Sequence, residues 1–141
     1  MLADTGYWLA LANPRDSWHR AAVEATRQLS DTLVVTWPVI TETCHLLGRY
    51  GGPYAQTDFV SLLCSNVEIC SQSIGHLPRI NEMLAKYRDL PMDLADASLV
   101  VAAAELDDGR ILSTEERDFG IYRWGASKPF DNLLPSYQLP R

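Results

Sequence analysis

Cysteine is scarce in this 141-residue chain, and the three present (Cys44, Cys64 and Cys70) lack metal-ligand spacing. An odd count without a pairing framework excludes a disulfide-stapled scaffold and a zinc cluster. Each thiol sits among apolar neighbours and is expected to be a small buried hydrophobe in a reducing compartment. A thiolate nucleophile at Cys44 finds no base, because His45 is adjacent and adjacent helix residues diverge by about 100°. An excess of base is also missing: 12 Lys and Arg stand against 18 Asp and Glu, for a net charge of −6. That balance excludes the broad cationic footprint of a protein that holds nucleic acid by counterion release. Any nucleic-acid substrate must be gripped locally, or through bound cations that reverse the sign of an acidic pocket. Long apolar runs are missing as well; stretches such as Leu99 to Ala104 fall far short of the roughly 20 residues of a bilayer span. Asp4 stands where a signal peptide needs its basic and apolar regions. The expectation is a cytoplasmic protein with no membrane contact.

No repeat, low-complexity tract or composition shift divides the chain, so one domain over residues 1–141 is expected, with 47% hydrophobic residues to build one core. Met1 to Ala3 reads as a minimal strand ending at Asp4. Asp16 is placed to cap a helix whose stripe is Trp18, Ala21, Ala22, Ala25 and Leu29. The β-branched run Leu33 to Thr36 predicts a buried strand. Pro38 suits the first turn of a helix to Arg49, which Gly51-Gly52 stops. A helix after Pro53 to about Cys64, a strand Val67 to Cys70, and a helix from Pro78 with Ile80, Met83, Leu84 and Tyr87 at helical spacing follow. From Asp93 to Leu106 the chain is apolar almost all round, which predicts a deeply buried helix. Gly109 breaks it, and Arg110 to Ser113 is the next strand. Strands alternating with helices predict an α/β layered fold around a mainly parallel sheet. The tail from Trp124 to Arg141 reads as a strand fragment plus a wrapping loop over a core of about residues 1–123.

In such a fold active groups collect beyond the carboxyl ends of the strands. Asp4 follows the first strand, Glu115 and Asp118 follow the strand ending near Ser113, and Asp96 lies in the first turns of the buried helix. Glu42 lies between Val39 and Leu46 at i−3 and i+4, which suggests a partly enclosed carboxylate. Simpler roles compete: Asp4 could cap a helix beginning near Tyr7, Asp93 is well placed as an N-cap, and Glu116 belongs to a solvated face. Asp96 is harder to explain away, because an ionised group between Leu94 and Val100 should be expelled unless paired or metal-bound. If Asp4, Glu42, Asp96 and Glu115 converge, two carboxylates at about 5 Å repel by roughly 3 kcal/mol at an effective dielectric near 20. Protons or a divalent cation would relieve that repulsion. Oxygen-only ligands favour Mg²⁺ or Mn²⁺ over zinc, and such an ion suits phosphodiester hydrolysis.

The ordered set resembles the signature of the PIN-domain family, in particular the VapC-like toxins. It comprises Asp4-Thr5, the helical Ile40-Thr41-Glu42, Asp96-Ala97 opening a buried helix, and a late acidic element. The stretch Leu90 to Leu99 is especially similar, as is the neighbourhood of Asp16 to His19, where the family often carries a histidine before an alanine-rich helix. The resemblance spans about residues 1–123. It departs at Ser113-Thr114-Glu115-Glu116-Arg117-Asp118-Phe119, where Ser113 replaces the usual threonine and Glu115 the usual aspartate. Glutamate remains a competent oxygen ligand, and Asp118 could share or take over the position.

The resemblance implies a PIN-like three-layer α/β/α fold. It also implies an Mg²⁺-dependent (or Mn²⁺-dependent) endoribonuclease that leaves a 5′-phosphate and a 3′-hydroxyl. Its catalytic acids would be Asp4, Glu42, Asp96, Glu115 and Asp118, with Asp4, Asp96 and Glu115 on the metal. Ser113 and Arg117 would face the substrate, with Arg123 a further candidate for phosphate contact. A small, basic antitoxin protein and a homodimer, with Trp8, Trp37 or Tyr54 at its surface, are the implied partners. A phospho-receiver domain has a similar size and acidic pocket, but it needs adjacent acids after the first strand and an aspartate at mid-chain. Here Asp4 stands alone, and Val67 to Ser73 offers only Glu68. A PIN-fold binding module without catalysis is the alternative that the Glu115 departure keeps open. A flap-type DNA nuclease would need added elements for which the chain is short.

Overall fold

A computed structural model of the chain describes residues 1–138; the last three positions of the expected wrapping segment lie outside the described residues. The elements run β1 (Leu2–Ala3), α1 (Thr5–Ala12), α2 (His19–Gln28), β2 (Leu33–Thr36), α3 (Trp37–Tyr50), α4 (Ala55–Asn66) and β3 (Val67–Cys70). They continue with α5 (Leu77–Lys86), α6 (Leu94–Leu106), β4 (Arg110–Leu112), α7 (Glu116–Ile121), β5 (Arg123–Trp124), β6 (Lys128–Pro129) and β7 (Asp131–Asn132). Five strands form one parallel sheet in the order β3-β2-β1-β4-β7, and β5 with β6 makes a separate antiparallel hairpin. Helices flank the sheet, with α6 packed along β1 and β2, α5 on α6, and α1 against α2 and α3. This is the α/β architecture that the alternating pattern predicts.

The short β1 holds the centre because both of its residues are apolar and the strand pairs with β2 on one side and β4 on the other. Leu2 lies opposite Val34 and Ile111, and Leu2 and Ala3 are fully buried. Truncating such a leucine to alanine costs about 2–5 kcal/mol through lost transfer energy and the cavity left behind. Every residue of β2 pairs with β3, from Leu33↔Val67 to Thr36↔Cys70. Helix α6 is buried along most of its length, as its all-round apolar sequence predicts, and Asp107 ends it in the left-handed region at φ 50°. Helix α3 gives way at Gly51-Gly52, where Gly52 takes a φ of 89°.

Several expectations are corrected. The helix after Asp16 begins at His19: the Asp16 carboxylate accepts from the Trp18 N–H in a local turn and leaves the helix itself without a side-chain cap. Helix α1 takes up the chain from Thr5, and its Trp8 is only 2% exposed, with its indole N–H donating to the Ala3 carbonyl. Trp8 therefore belongs to the core and cannot contribute to a dimer surface, whereas Trp37 and Tyr54 are exposed. Cys64 is exposed on α4, and Cys44 and Cys70 are half-buried; all three are free thiols. Burial raises the Cys44 and Cys70 thiols above their ordinary range. Over its described residues the tail is more than a strand fragment and a wrapping loop. It forms the β5–β6 hairpin, extends the main sheet with β7, and continues into a 3₁₀ turn at Leu134–Tyr137 that packs on α2.

Candidate active site: an acid-lined cleft

The carboxyl ends of β1 and β4, the start of α6 and one face of α3 enclose a cleft of about 280 Å³. Among the described residues its lining includes Asp4, Glu42, Asp93, Asp96, Glu115 and Asp118, and no Lys, Arg or His. Among the described residues, none of these acids takes part in a salt bridge. A larger hollow of about 400 Å³ lies under Tyr7, Thr26 and Val67 but, among the described residues, holds a single carboxylate side chain, Asp31. Concentrated charge, rather than volume, distinguishes the smaller cleft.

Asp4 leaves β1 in extended conformation, caps α1 by accepting from the Thr5 N–H at 2.7 Å, and points its other oxygen at Ser113. Capping and cleft-lining are thus two uses of one side chain. Ser113 stands one residue past β4; its hydroxyl donates to Asp4 Oδ2 at 2.9 Å and accepts from the Glu115 N–H at 2.9 Å. Gly6 permits this junction, since a Cβ there would fall 2.0 Å from the Thr114 hydroxyl oxygen. Asp93 and Asp96 share a capping box at the start of α6: the Asp96 N–H donates to Asp93 Oδ1 at 2.8 Å and the Asp93 N–H to Asp96 Oδ2 at 3.3 Å. The same Asp96 oxygen accepts from the Tyr122 hydroxyl at 3.2 Å.

These environments disfavour charge. Burial, with the Glu42 and Asp93 charges adding to it, pushes Asp4 up to about 7, although the Ser113 hydroxyl and Thr5 N–H oppose the shift. Asp96 is pushed up to about 8, first by burial and then by the charges of Asp93 and Asp4. Glu42 is raised chiefly by burial, with Asp93 and Glu115 adding repulsion. The Thr5 hydroxyl is close enough to Glu42 to favour its ionised form, yet it closes no hydrogen bond of normal geometry and is a buried polar atom without a partner. The phenol of Tyr122 is also raised, by burial and by Asp96 and Asp118.

The donor set suits a hard divalent cation: every charged ligand is a carboxylate, and an orphaned hydroxyl adds another oxygen. Among the described residues, no three His, Cys, Asp or Glu side chains are already disposed to hold an ion. The acids line an open cleft and do not form a closed cage. An open set of oxygens is compatible with a divalent cation that keeps several of its waters. Asp4 and Asp96, both in the lining, are candidates to hold such an ion.

Not every candidate reaches the cleft. Ser113 is fully buried, with its hydroxyl turned to the Asp4 carboxylate, and is not among the residues lining the cleft. Arg117 is exposed on α7 and is not among the residues lining the cleft. Arg123 directs its guanidinium to the carbonyls of Gly120, Ile121 and Tyr122, closing the C-terminus of α7. His19 Nδ1 is hydrogen-bonded to the Ala10 carbonyl at the end of α1. Conversely, Asp93 and Tyr122 join the site. The i, i+3 spacing from Asp93 to Asp96 could have flagged the first, while nothing local marks Tyr122.

Fold and cleft together define a parallel α/β protein with its candidate site at the strand carboxyl ends, where such sheets gather ligands. The PIN domain profile matches residues 1–124, and the chain belongs to the PIN-domain family. It is 27% identical over 124 residues to ribonuclease VapC26 of Mycobacterium tuberculosis (strain ATCC 25618 / H37Rv), an alignment covering 87% of this chain and 92% of that protein. The crystal structure of Mycobacterium tuberculosis VapC20, a sarcin-ricin loop cleaving toxin, superposes with a TM-score of 0.76 at 19% identity, covering 83% of this chain and 91% of that one. At that identity the likeness is one of fold.

Proposed function

We propose that this chain is an Mg²⁺-dependent endoribonuclease acting as the toxin of a type II toxin–antitoxin pair, in the cytoplasm. One observation carries the reading: carboxylates from separate parts of the chain face one cleft in which, among the described residues, there is no cationic side chain. The similarity to a ribonuclease, VapC26, supplies the substrate class. A divalent ion, Mg²⁺ or Mn²⁺, would neutralise the acids, make a bound water more acidic, and offset charge on the phosphate and leaving oxygen.

The chain's own groups then have distinct tasks. Asp4 and Asp96 hold the ion, each kept in orientation by hydrogen bonds from Ser113 or Tyr122. Glu42, Glu115 or Asp118 accepts the proton of the attacking water, and the bond to the 3′ oxygen breaks to leave a 5′-phosphate and a 3′-hydroxyl. Among the described residues no cationic side chain lines the cleft, so the proton returned to the displaced oxygen comes from solvent. The negative net charge favours a basic antitoxin that lays a cationic side chain among the carboxylates. A second copy of the chain would cover Trp37, Ile74, Leu77 and Leu94, which line one shallow hollow and are 51–84% exposed.

Digestion of total cellular RNA by the purified protein, with and without Mg²⁺, tests the reading. The expected result is cutting at discrete sites, 5′-phosphorylated ends, and loss of activity in EDTA. Failure to cut any RNA would move the assignment to a binding module. Production of the chain alone should arrest growth, and co-expression of its antitoxin should restore it.

A further inference from the structure

We propose that Asn132, on the edge strand beyond the family match, is a positioning residue that completes the acidic cleft. The case begins with the ladder between β4 and β7. The Asp131 N–H donates to the Gly109 carbonyl and the Leu133 N–H to the Ile111 carbonyl, both at 2.9 Å. A parallel ladder advances by two residues, so the next rung would join the N–H of residue 135 to the Ser113 carbonyl. Residue 135 is proline and has no N–H. The chain turns there into the 3₁₀ segment, and the Leu133 carbonyl is occupied by the Ser136 N–H and hydroxyl.

The Asn132 carboxamide takes the place of the missing peptide. Its Nδ2 donates to the Ser113 carbonyl at 2.9 Å and its Oδ1 accepts from the Ser113 N–H at 3.1 Å. The same oxygen accepts from the Leu134 N–H at 3.3 Å, which fixes the amide from the tail side. A carboxamide carries the donor and acceptor of a peptide group on one plane, and asparagine's short stem sets them at peptide-like reach. The backbone of Ser113 is thereby held on both of its polar groups. Its side chain is the one that donates to Asp4 Oδ2 and accepts from the Glu115 N–H. An unbroken relay runs from the edge strand through Ser113 to two cleft acids, and it lies across the point where the family profile stops, at residue 124.

The inference rests on reading the cleft as a divalent-ion site, and the experiment separates the two. Mn²⁺ binding to the protein without RNA is measured by titration calorimetry for the unmodified chain, Asn132→Ala, Asn132→Gln, Ser113→Ala and the Asn132→Ala/Ser113→Ala double variant. Each is studied well below its own melting temperature. Asn132→Ala should weaken Mn²⁺ binding by roughly tenfold, the lower end of what loss of a ligand's orienting partner costs. In the Ser113→Ala background the same change should add little, because Asn132 acts through Ser113. Asn132→Gln keeps the amide but displaces it by a methylene, so it should behave like the alanine variant; it carries the comparison if Asn132→Ala does not fold. A lowered melting temperature with unchanged Mn²⁺ affinity would reduce Asn132 to an edge-strand fastener, and independent losses in the double variant would sever the relay; either overturns the assignment alone. No Mn²⁺ binding by the unmodified chain would overturn the metal-site reading along with it.

Discussion

The two ends of the parallel sheet treat carboxylates in opposite ways. At the amino ends of the strands Asp108 accepts two hydrogen bonds from the Arg110 guanidinium and lies 3.9 Å from the Met1 amine, while Arg110 also pairs with Asp31. There the Asp108 carboxyl is held below its ordinary range, chiefly by Arg110. At the carboxyl ends burial pushes Asp4 up to about 7 and Asp96 up to about 8, with no cationic side chain beside them among the described residues. One fold thus contains compensated acids and uncompensated acids a strand's length apart. The uncompensated set is not forced by a lack of arginine in the chain; it is a local feature that disfavours the empty cleft, and such perturbed groups in a cleft mark functional-site candidates.

The most severe way to break the contrast is to neutralise the carboxyl end. Asp96→Asn keeps an oxygen that can accept from Tyr122 and the Asp93 N–H, so the fold should survive. RNA cleavage should fall by roughly a thousandfold or more, as when a group held for the transition state is lost. Circular dichroism and a gel-based cleavage assay on the same sample check both halves. Robust cleavage by Asp96→Asn would remove the site from this cleft. A smaller effect is expected from Gly6→Ala: the new methyl collides with Thr114, displaces the loop carrying Ser113 and Glu115, and should lower kcat about tenfold or more. Normal kcat in that variant would show that the loop tolerates the shift.

What the sequence made legible follows from locality. The order Asp4, Glu42, Asp96, Glu115 could be read because each acid opens, follows or faces an element whose end lies at the cleft. Asp93 was read as a cap, although its i, i+3 spacing to Asp96 also sets it beside a cleft acid once α6 docks. Tyr122 and Asn132 reach the site from segments with no periodicity; β5, β6 and β7 are two residues each, too short for a hydrophobic pattern to reveal. Trp8 misled in the other direction, since a lone tryptophan offers area for an interface or for a core, and tertiary packing decides.

The contrast also has a pH signature. Asp4 and Asp96 have folded-state pKa values above the ordinary 3.8, so between that value and about 7–8 the native state binds more protons than the unfolded chain. Stability of the metal-free protein should therefore be highest at the low end of that window and decline as pH rises through it. Asp108 has the opposite sign: its contribution is present above 3.8 and is lost as pH falls through its lowered pKa. Melting curves from pH 5 to 8.5 should fall steadily in EDTA and flatten in Mg²⁺, with the largest Mg²⁺ stabilisation at the alkaline end. Asp96→Asn should flatten the curve without metal. A metal-free melting temperature that rises across this range would mean that the cleft acids are not repelling one another.

The mildest test lies at the paired end. Arg110→Ala removes the hydrogen bonds to Asp108 and the contact with Asp31, but Arg110 is 42% exposed and its partners are 25% and 38% exposed. Solvent screening limits such a network to about 1 kcal/mol or less. Denaturant titration at pH 7 should show a loss of that size, and the Asp108 carboxyl, freed of its guanidinium, should rise toward its ordinary value. Cleavage should be unchanged, because the pair lies at the opposite end of β4 from Ser113 and touches no cleft residue. A marked drop in cleavage would show that the two ends of the sheet are coupled through β4, and the contrast between compensated and uncompensated acids would then describe one site instead of two.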